Sequence, residues 1–207
     1  NTFKNFSDKK LMYDVFPRIP YSEAMLKYGS DKPDLRNPLI IKDITEIFNR
    51  EDVSFDIFKK LVRSGSKVRS ITTKNTKNKP RSFFDNIDKW AKEQGASGLA
   101  YFTIEKNEKI FGKGPVGKFF SEDSLKEIMK ISNAKVGDSI FLACAKTSEV
   151  EKILSISRNK IAKDLSLIDE EKFAFCWITD YPMYELDEQT KKIKFSHNPF
   201  SMSQGEP

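Results

Sequence analysis

The sequence predicts an α+β fold: a two-layer sandwich with a mixed or antiparallel sheet and helices on one face. Between residues 53 and 167, short apolar segments and amphipathic helical segments follow one another in the order ββ-α-β(β)-α-β-α. They form no regular βαβ repeat, which disfavours a doubly wound parallel sheet. The 207 residues include 17 Phe, enough apolar material to bury a core without disulfides or metals and too much for a disordered chain.

The first fifty residues predict short elements separated by prolines. Residues 16–20 are expected to be extended, because each of their two prolines disfavours helix at the residue before it. Ser22 is expected to cap a short helix that ends at Gly29. Asp43 is expected to cap a second short helix that runs to Phe48.

Strands are predicted wherever apolar residues alternate or run continuously over three to eight positions. Alternation at Val53, Phe55 and Ile57 indicates one half-buried strand. The other strands of this region are predicted over Lys67–Thr73, Gly98–Glu105, Lys109–Phe111 and Ser139–Ala145. Near the end, Phe173–Thr179, Met183–Leu186 and Lys192–Phe195 predict an antiparallel meander.

Three longer helices are predicted from apolar residues at helical spacing. The first runs from about Phe83 to Gln94 behind a capping box formed by Ser82 and Asp85. Ser121 opens the second helix. Thr147 or Ser148 caps the third, whose apolar stripe includes Val150, Leu154 and Ile161.

Charge and cysteine content exclude several classes of function. The net charge of +6 permits contact with nucleic acid without requiring it. The basic stretch Lys74–Arg81 is interpreted as a flexible solvated loop, although it could contact phosphates. Cys144 and Cys176 stand in apolar runs and are expected to be buried thiols in a reducing cytoplasm. A zinc site is excluded because the chain has one His and no CxxC, and no apolar run is long enough to span a membrane.

A glycine-rich stretch over 112–117 fits GxGxxG and comes close to a phosphate-binding loop. Such loops offer free backbone N–H groups to phosphate oxygens. Here Pro115 removes a donor from the middle of the cradle, and Phe119 stands where a hydroxyl would reach magnesium. We therefore expect a connection between a strand and a helix.

Two further features are candidates for function. His197, the only imidazole, follows a hairpin strand next to Asn198 and Pro199, where a side chain is readily presented to a cleft. Between residues 30 and 36, charged side chains surround Pro33, which indicates either a solvated turn with local ion pairs or a hinge that positions neighbouring segments. The hinge candidates are Ser30, Asp31, Lys32, Asp34 and Arg36. The residues reveal no acid/base pair, triad or metal cluster.

The stretch FPRIPYSEAMLKYGSDKPDLR, residues 16–36, resembles the bacterial-type aspartyl-tRNA synthetases. In that family a similar segment leads from the catalytic domain into an insertion, the GAD domain, which is shared with a subunit of the tRNA-dependent amidotransferase. GASGLAY at 95–101, GPVGKF at 114–119, WITDYPMYE at 177–185 and FSHNPFS at 195–201 resemble further family motifs in the same order. The resemblance therefore covers essentially the whole chain.

The resemblance implies a class II synthetase with an antiparallel catalytic sheet. Such enzymes are homodimers that convert L-aspartate and ATP, with Mg²⁺, to aspartyl-adenylate and pass the aspartyl group to tRNA. It also implies a cytoplasmic location and contact between His197 and the substrate aspartate, which suits an imidazole facing a carboxylate.

Other parts of the family pattern are missing from the 207 residues, namely S-P-Q-x-x-K, F-R-D-E and G-x-G-x-G-x-D-R. We therefore expect a fragment that is inactive alone and binds neither ATP nor Mg²⁺, since adenylate formation depends on positioned charged groups; the lack of an initial Met agrees with a longer parent. Residues 1–38 would lead into the insertion, 39–168 form the GAD domain, and 169–207 return to the catalytic domain. The alternative is a stand-alone GAD-type module that binds tRNA or protein without catalysis.

Overall fold

A five-stranded antiparallel sheet lies at the centre of the computed structural model, which describes residues 5–187 and 190–196. Numbered in chain order, the strands are β1 (Lys10–Leu11), β2 (Arg18–Pro20), β3 (Ile41–Asp43), β4 (Lys67–Thr73), β5 (Ala100–Lys106), β6 (Ile110–Lys113), β7 (Ser139–Ala145), β8 (Lys172–Phe173), β9 (Trp177–Thr179), β10 (Tyr184–Leu186) and β11 (Ile193–Phe195). The α-helices are α1 (Tyr21–Tyr28), α2 (Asp56–Arg63), α3 (Arg81–Glu93), α4 (Glu122–Ser132) and α5 (Thr147–Asp164).

The central sheet has the strand order β3-β4-β7-β5-β6, and every neighbouring pair is antiparallel. The longest pairing in the sheet joins β4 and β7, from Lys67 opposite Ala145 to Thr73 opposite Ser139. Both strands have the predicted bounds, and β5 begins two residues later than predicted. The predicted α+β class with an antiparallel sheet is confirmed.

Helices cover both faces of this sheet, which corrects the expectation of a two-layer sandwich with helices on one face. Ile71, Tyr101 and Phe141 point to one side, where they pack against residues of α3 and α5. Ile140 and Leu142 point to the other side and pack against residues of α4, with Phe58 and Val62 of α2 at the margin. The sheet is buried on both faces, so β7 reads as a nearly continuous apolar run rather than as an alternating one.

The predicted strand over residues 53–57 is wrong, because the chain turns into helix α2 at Asp56. Val53 makes only an isolated bridge, with Phe120. Phe55 and Phe58 stack with ring centroids 4.4 Å apart, whereas Ile57 is 66% exposed. Phe55 and Phe58, three residues apart as on one side of a helix, therefore pack together here. The alternation of Val53, Phe55 and Ile57 was coincidental.

Helix starts were predicted with mixed success. Ser121 does cap α4, its hydroxyl accepting from the Ser124 N–H at 3.0 Å. The predicted caps of α1, α3 and α5 are wrong, because Pro20, Pro80 and Lys146 occupy their N-cap positions and none of these offers a side-chain acceptor. Asp43 accepts from the Thr45 N–H at 2.9 Å, at the start of the 3₁₀ turn Thr45–Asn49.

The two flanking segments meet through short strand pairs. β1 pairs with β8 and β2 with β9, both in parallel, while β10 and β11 form an antiparallel hairpin. The predicted hairpin is therefore confirmed. The predicted single strand over Phe173–Thr179 is wrong, since it is divided into β8 and β9, which pair with the N-terminal segment instead of extending a meander.

Candidate functional site

The predicted hinge loop, residues 30–36, is ordered by hydrogen bonds within itself. The Lys32 N–H donates to the Ser30 hydroxyl at 3.0 Å, and its ammonium pairs with Asp31 at 2.9 Å on the surface. Arg36 forms a two-point pair with the Asp34 carboxylate, at 3.0 and 2.8 Å. Hydrogen bonds from Arg36 hold the pKa of Asp34 below its usual value. The loop thus contains the local ion pairs of a solvated turn, and its second half is partly buried.

Arg158, a residue that sequence reasoning did not single out, anchors this loop to helix α5. Its side chain is 2% exposed. The guanidinium donates to the backbone carbonyls of Leu39 at 2.6 Å, Asn37 at 2.6 Å and Asp34 at 3.0 Å. It also lies over the Tyr28 ring, 5.0 Å from the centroid. Burial lowers the pKa of Arg158 to about 10, so the group remains charged at neutral pH.

A close backbone approach also fixes the start of the loop. Gly29 has φ +67°, and a Cβ at this position would lie 2.3 Å from the carbonyl oxygen of Glu151 in α5. The Glu151 carboxylate pairs with the buried Arg69 of β4 at 2.9 Å. Helix α5 is therefore bound to the sheet on one side and to the entering chain on the other.

His197 lies outside the described residues. The described chain before it reaches β11, whose hairpin with β10 is exposed on both faces. The role expected for His197 in binding aspartate therefore stays a prediction.

The glycine-rich stretch packs tightly instead of forming an open cradle. Gly112 lies in β6 opposite Ile104, and Cβ atoms added at Gly112 or Gly117 would come within 2.2–2.8 Å of the other glycine's backbone. The two glycines are needed where these backbones cross. This geometry agrees with the predicted connection between a strand and a helix.

A basic pocket of about 450 Å³ lies where this connection meets the loop before α3. Its walls carry Lys77, Lys79, Arg81 and Lys113, with Glu105 as the one carboxylate in the lining. The sequence places these cations in two separate stretches, and the folded sheet brings them together in one pocket lining. The stretch Lys74–Arg81 is also held more firmly than predicted, since the Asn75 N–H and the Lys74 ammonium bind the buried Asp138 at 2.9 and 3.1 Å.

Aromatic side chains form the floor of the basic pocket. Phe84 and Tyr101 stack with centroids 4.7 Å apart, and both are less than a tenth exposed. The Tyr101 hydroxyl donates to Asp85 at 2.8 Å, and Arg81 pairs with the same carboxylate at 3.2 Å. Burial, reinforced by this bond to a carboxylate, raises the pKa of Tyr101 to about 12.

Metal and thiol chemistry find little support in residues 5–187 and 190–196. This part of the chain holds no group of three or more His, Cys, Asp or Glu arranged for a metal. Cys144 and Cys176 are unpaired with each other and half-buried, less buried than predicted, and burial raises the pKa of Cys144 to about 11. None of the described helices combines the length and apolarity needed to cross a membrane.

Comparison with known proteins gives one family match and a consistent group of relatives. Residues 58–154 match the GAD domain family. An aspartate–tRNA(Asp/Asn) ligase of Pelagibacter ubique is 74% identical over 206 residues, 100% of this chain and 35% of the relative. Ligases of the same name from Beijerinckia indica and Rickettsia bellii are 47% and 49% identical, over 98% of the chain and 34% and 33% of their own length. The chain spans about a third of the length of these relatives.

Proposed function

Because residues 58–154 belong to the GAD domain family and the chain aligns along its whole length with aspartate–tRNA ligases, we propose that it is a segment of such a ligase. The observation that carries the proposal is the 74% identity over 206 residues to a part of one ligase. The segment comprises the GAD domain and the two stretches of catalytic domain on either side of it.

The way the chain enters and leaves the GAD domain supports this division. Strand β2 of the entering segment pairs with β9 of the returning segment, with Ile19 opposite Ile178. Adjacent entry and exit points are the usual geometry of an inserted domain. Leu39 and Ile168 still pack with the core of the central sheet, which supports residues 39–168 as the inserted unit, with 1–38 and 169–207 as its flanks.

Apolar exposure on the returning segment points to further structure around it. Tyr184 and Leu186 of β10 are 54% and 59% exposed, and Ile193 and Phe195 of β11 are 75% and 68% exposed. Tyr184 is opposite Phe195 and Leu186 is opposite Ile193, so the four side chains share one face, and a two-stranded hairpin with such an exposed apolar face is marginal in water alone. We propose that the remaining catalytic sheet of the ligase covers this hairpin.

The complete ligase is proposed to activate L-aspartate with ATP and Mg²⁺ and to transfer the aspartyl group to tRNA. By the names of the relatives its tRNA partners are those for aspartate and asparagine, and by the resemblance it is a cytoplasmic homodimer. Residues 30–36 position the GAD domain, and His197 contacts the substrate aspartate. The family motifs F-R-D-E and G-x-G-x-G-x-D-R are missing from these 207 residues, so the ATP site is assigned to the rest of the ligase and the isolated chain is expected to be inactive.

The reading frame and the isolated chain both test this proposal. The gene should encode F-R-D-E upstream and G-x-G-x-G-x-D-R downstream of these 207 residues, and aspartate-dependent ATP–pyrophosphate exchange by the isolated chain should stay at background. A frame that lacks both motifs would support the stand-alone GAD-type module that binds tRNA or protein. Clear exchange by the isolated chain would refute the assignment of the ATP site to the rest of the ligase.

A further inference from the structure

The lining of the basic pocket has more positive charge than its own carboxylate neutralises. Lys113 pairs with Glu105 at 3.1 Å, and Arg81 pairs with Asp85 at 3.2 Å. Within the part of the chain that the structure describes, no carboxylate lies within ion-pair distance of the ammonium groups of Lys77 and Lys79. Lys79 instead lies 5.7 Å from the centroid of the Phe83 ring. Two ammonium groups are thus left to attract an anion.

The beginning of helix α3 strengthens the positive potential at the same place. Arg81 is the first residue of α3 and lines the pocket. The first turns of α1, α2, α4 and α5 each contain an acidic residue, whereas the first turn of α3 contains none. The positive end of the helix dipole at this turn favours an anionic ligand.

The shape of the pocket selects the kind of anion. A volume of about 450 Å³ lies within the range of ligand sites and is large enough for a nucleotide-sized group. The free cations are lysines, which act as point charges from several directions, as suits a phosphate better than the two-point geometry of a carboxylate. Phe84 and Tyr101 supply an apolar floor against which a sugar or a base edge can pack.

We infer that this pocket binds a phosphate group of an RNA strand and its adjoining nucleoside. The inference rests on the proposed function, in which tRNA is a substrate of the ligase that contains the GAD domain. Lys77 and Lys79 supply the unpaired charge, Lys113 adds a third ammonium group to the wall beside Glu105, and the stacked Phe84 and Tyr101 form the floor. The glycine-rich stretch contributes only Lys113, Gly114 and Pro115 to the wall and no cradle of backbone donors.

Fluorescence anisotropy with a labelled tRNA tests the pocket in the intact chain. The test variant carries Lys77→Gln, Lys79→Gln and Lys113→Gln. The control carries Lys60→Gln, Lys130→Gln and Lys152→Gln, three exposed lysines outside the pocket lining, so both variants lose the same net charge. Folding of each is checked by its urea midpoint. We expect the pocket variant to bind tRNA at least ~10-fold more weakly, and the control to change in affinity by less than ~3-fold. In the pocket variant, the magnitude of the slope of log binding constant against log salt concentration should fall by about 2–3.

Each outcome of this experiment decides for or against the pocket. Equal weakening by both variants, or no weakening by a folded pocket variant, would overturn the inference. Competition identifies the source of the phosphate: AMP that displaces the tRNA at micromolar concentration would assign the pocket to a free nucleotide, whereas displacement only at millimolar AMP or inorganic phosphate supports RNA. The measurement uses neither ATP nor aspartate, so its failure is distinguishable from failure of the proposed ligase activity.

Discussion

Arg158 and Asn37 bind each other in both directions across the boundary between helix α5 and the entering chain. The Arg158 guanidinium donates to the Asn37 carbonyl at 2.6 Å, and the Asn37 side-chain amide donates to the Arg158 carbonyl at 3.2 Å. Asn37 also accepts from the Leu39 N–H at 3.0 Å. A buried polar network in which the members are satisfied fixes one geometry. The network between Arg158 and Asn37 therefore holds the end of the loop formed by residues 30–36 against the inserted domain.

Replacing Arg158 should loosen this boundary. Arg158→Met keeps much of the apolar stem but leaves the buried carbonyls of Asn37 and Leu39 without their donor, and we expect a loss of about 2–4 kcal/mol in unfolding free energy. Urea denaturation measures it. Lys152→Met, an exposed position on the same helix, should stay within about 0.5 kcal/mol. Similar losses in the two variants would contradict the anchoring role.

Gly29 should tolerate no side chain, for a steric reason in addition to its backbone angle. Gly29→Ala places a Cβ 2.3 Å from the Glu151 carbonyl oxygen, so α5 must shift. Gly65 and Gly95 have φ +92° and +91° with nothing within 4 Å of an added Cβ, and their Ala variants report the backbone cost alone, about 1 kcal/mol. We expect Gly29→Ala to cost at least ~1–2 kcal/mol more by urea denaturation. Equal costs at the three glycines would show that the close approach is unimportant.

Tyr101 should give a pH-dependent contribution to stability. Its folded pKa is about 12, above the ordinary value of 10.0, so the neutral hydroxyl stabilises the fold fully below pH 10 and this contribution is lost as the pH rises toward 12. We expect Tyr101→Phe to cost about 1 kcal/mol at pH 8 and less at pH 11. Unfolding free energies across this range measure the difference, with Tyr184→Phe at an exposed site as control. A cost that grows with pH would contradict the assignment.

Sheet and helix predictions succeeded where the local pattern and the tertiary packing agree. The runs Lys67–Thr73 and Ser139–Ala145 lie in the middle of the sheet, so their composition alone indicated strands. The strand prediction over residues 53–57 was wrong because three alternating residues fit a strand by chance. The packing of Phe58 and Val62 stabilises a helix there instead. That helices cover both faces depends on crossovers that local periodicity does not encode.

Sequence reasoning identified the ends of the hinge loop but not its anchor. A signal for Arg158 was present, since it stands four residues after Leu154 and three before Ile161, on the apolar face of α5. A cation in an apolar stripe indicates a buried donor. The basic pocket had no comparable signal, because Lys113 comes close to Lys77 and Lys79 only in the folded sheet.

His197 should matter for aspartate and not for ATP. A chimera in which this chain replaces the matching segment of the Pelagibacter ubique ligase provides the rest of the proposed active site. His197→Ala in that chimera should lower kcat/KM for aspartate by at least ~10-fold, because a carboxylate partner is lost, while the KM for ATP changes little. An unchanged kcat/KM for aspartate would remove His197 from the substrate site.

The central claim is that this chain is a functional segment of an aspartate–tRNA ligase. The most direct test is aspartate-dependent ATP–pyrophosphate exchange by the same chimera, compared with the unaltered ligase and with a chimera whose inserted segment carries Arg158→Met. We expect exchange within about tenfold of the unaltered ligase, and reduced exchange when the anchor between α5 and the entering chain is removed. A soluble, folded chimera without exchange would contradict the claim.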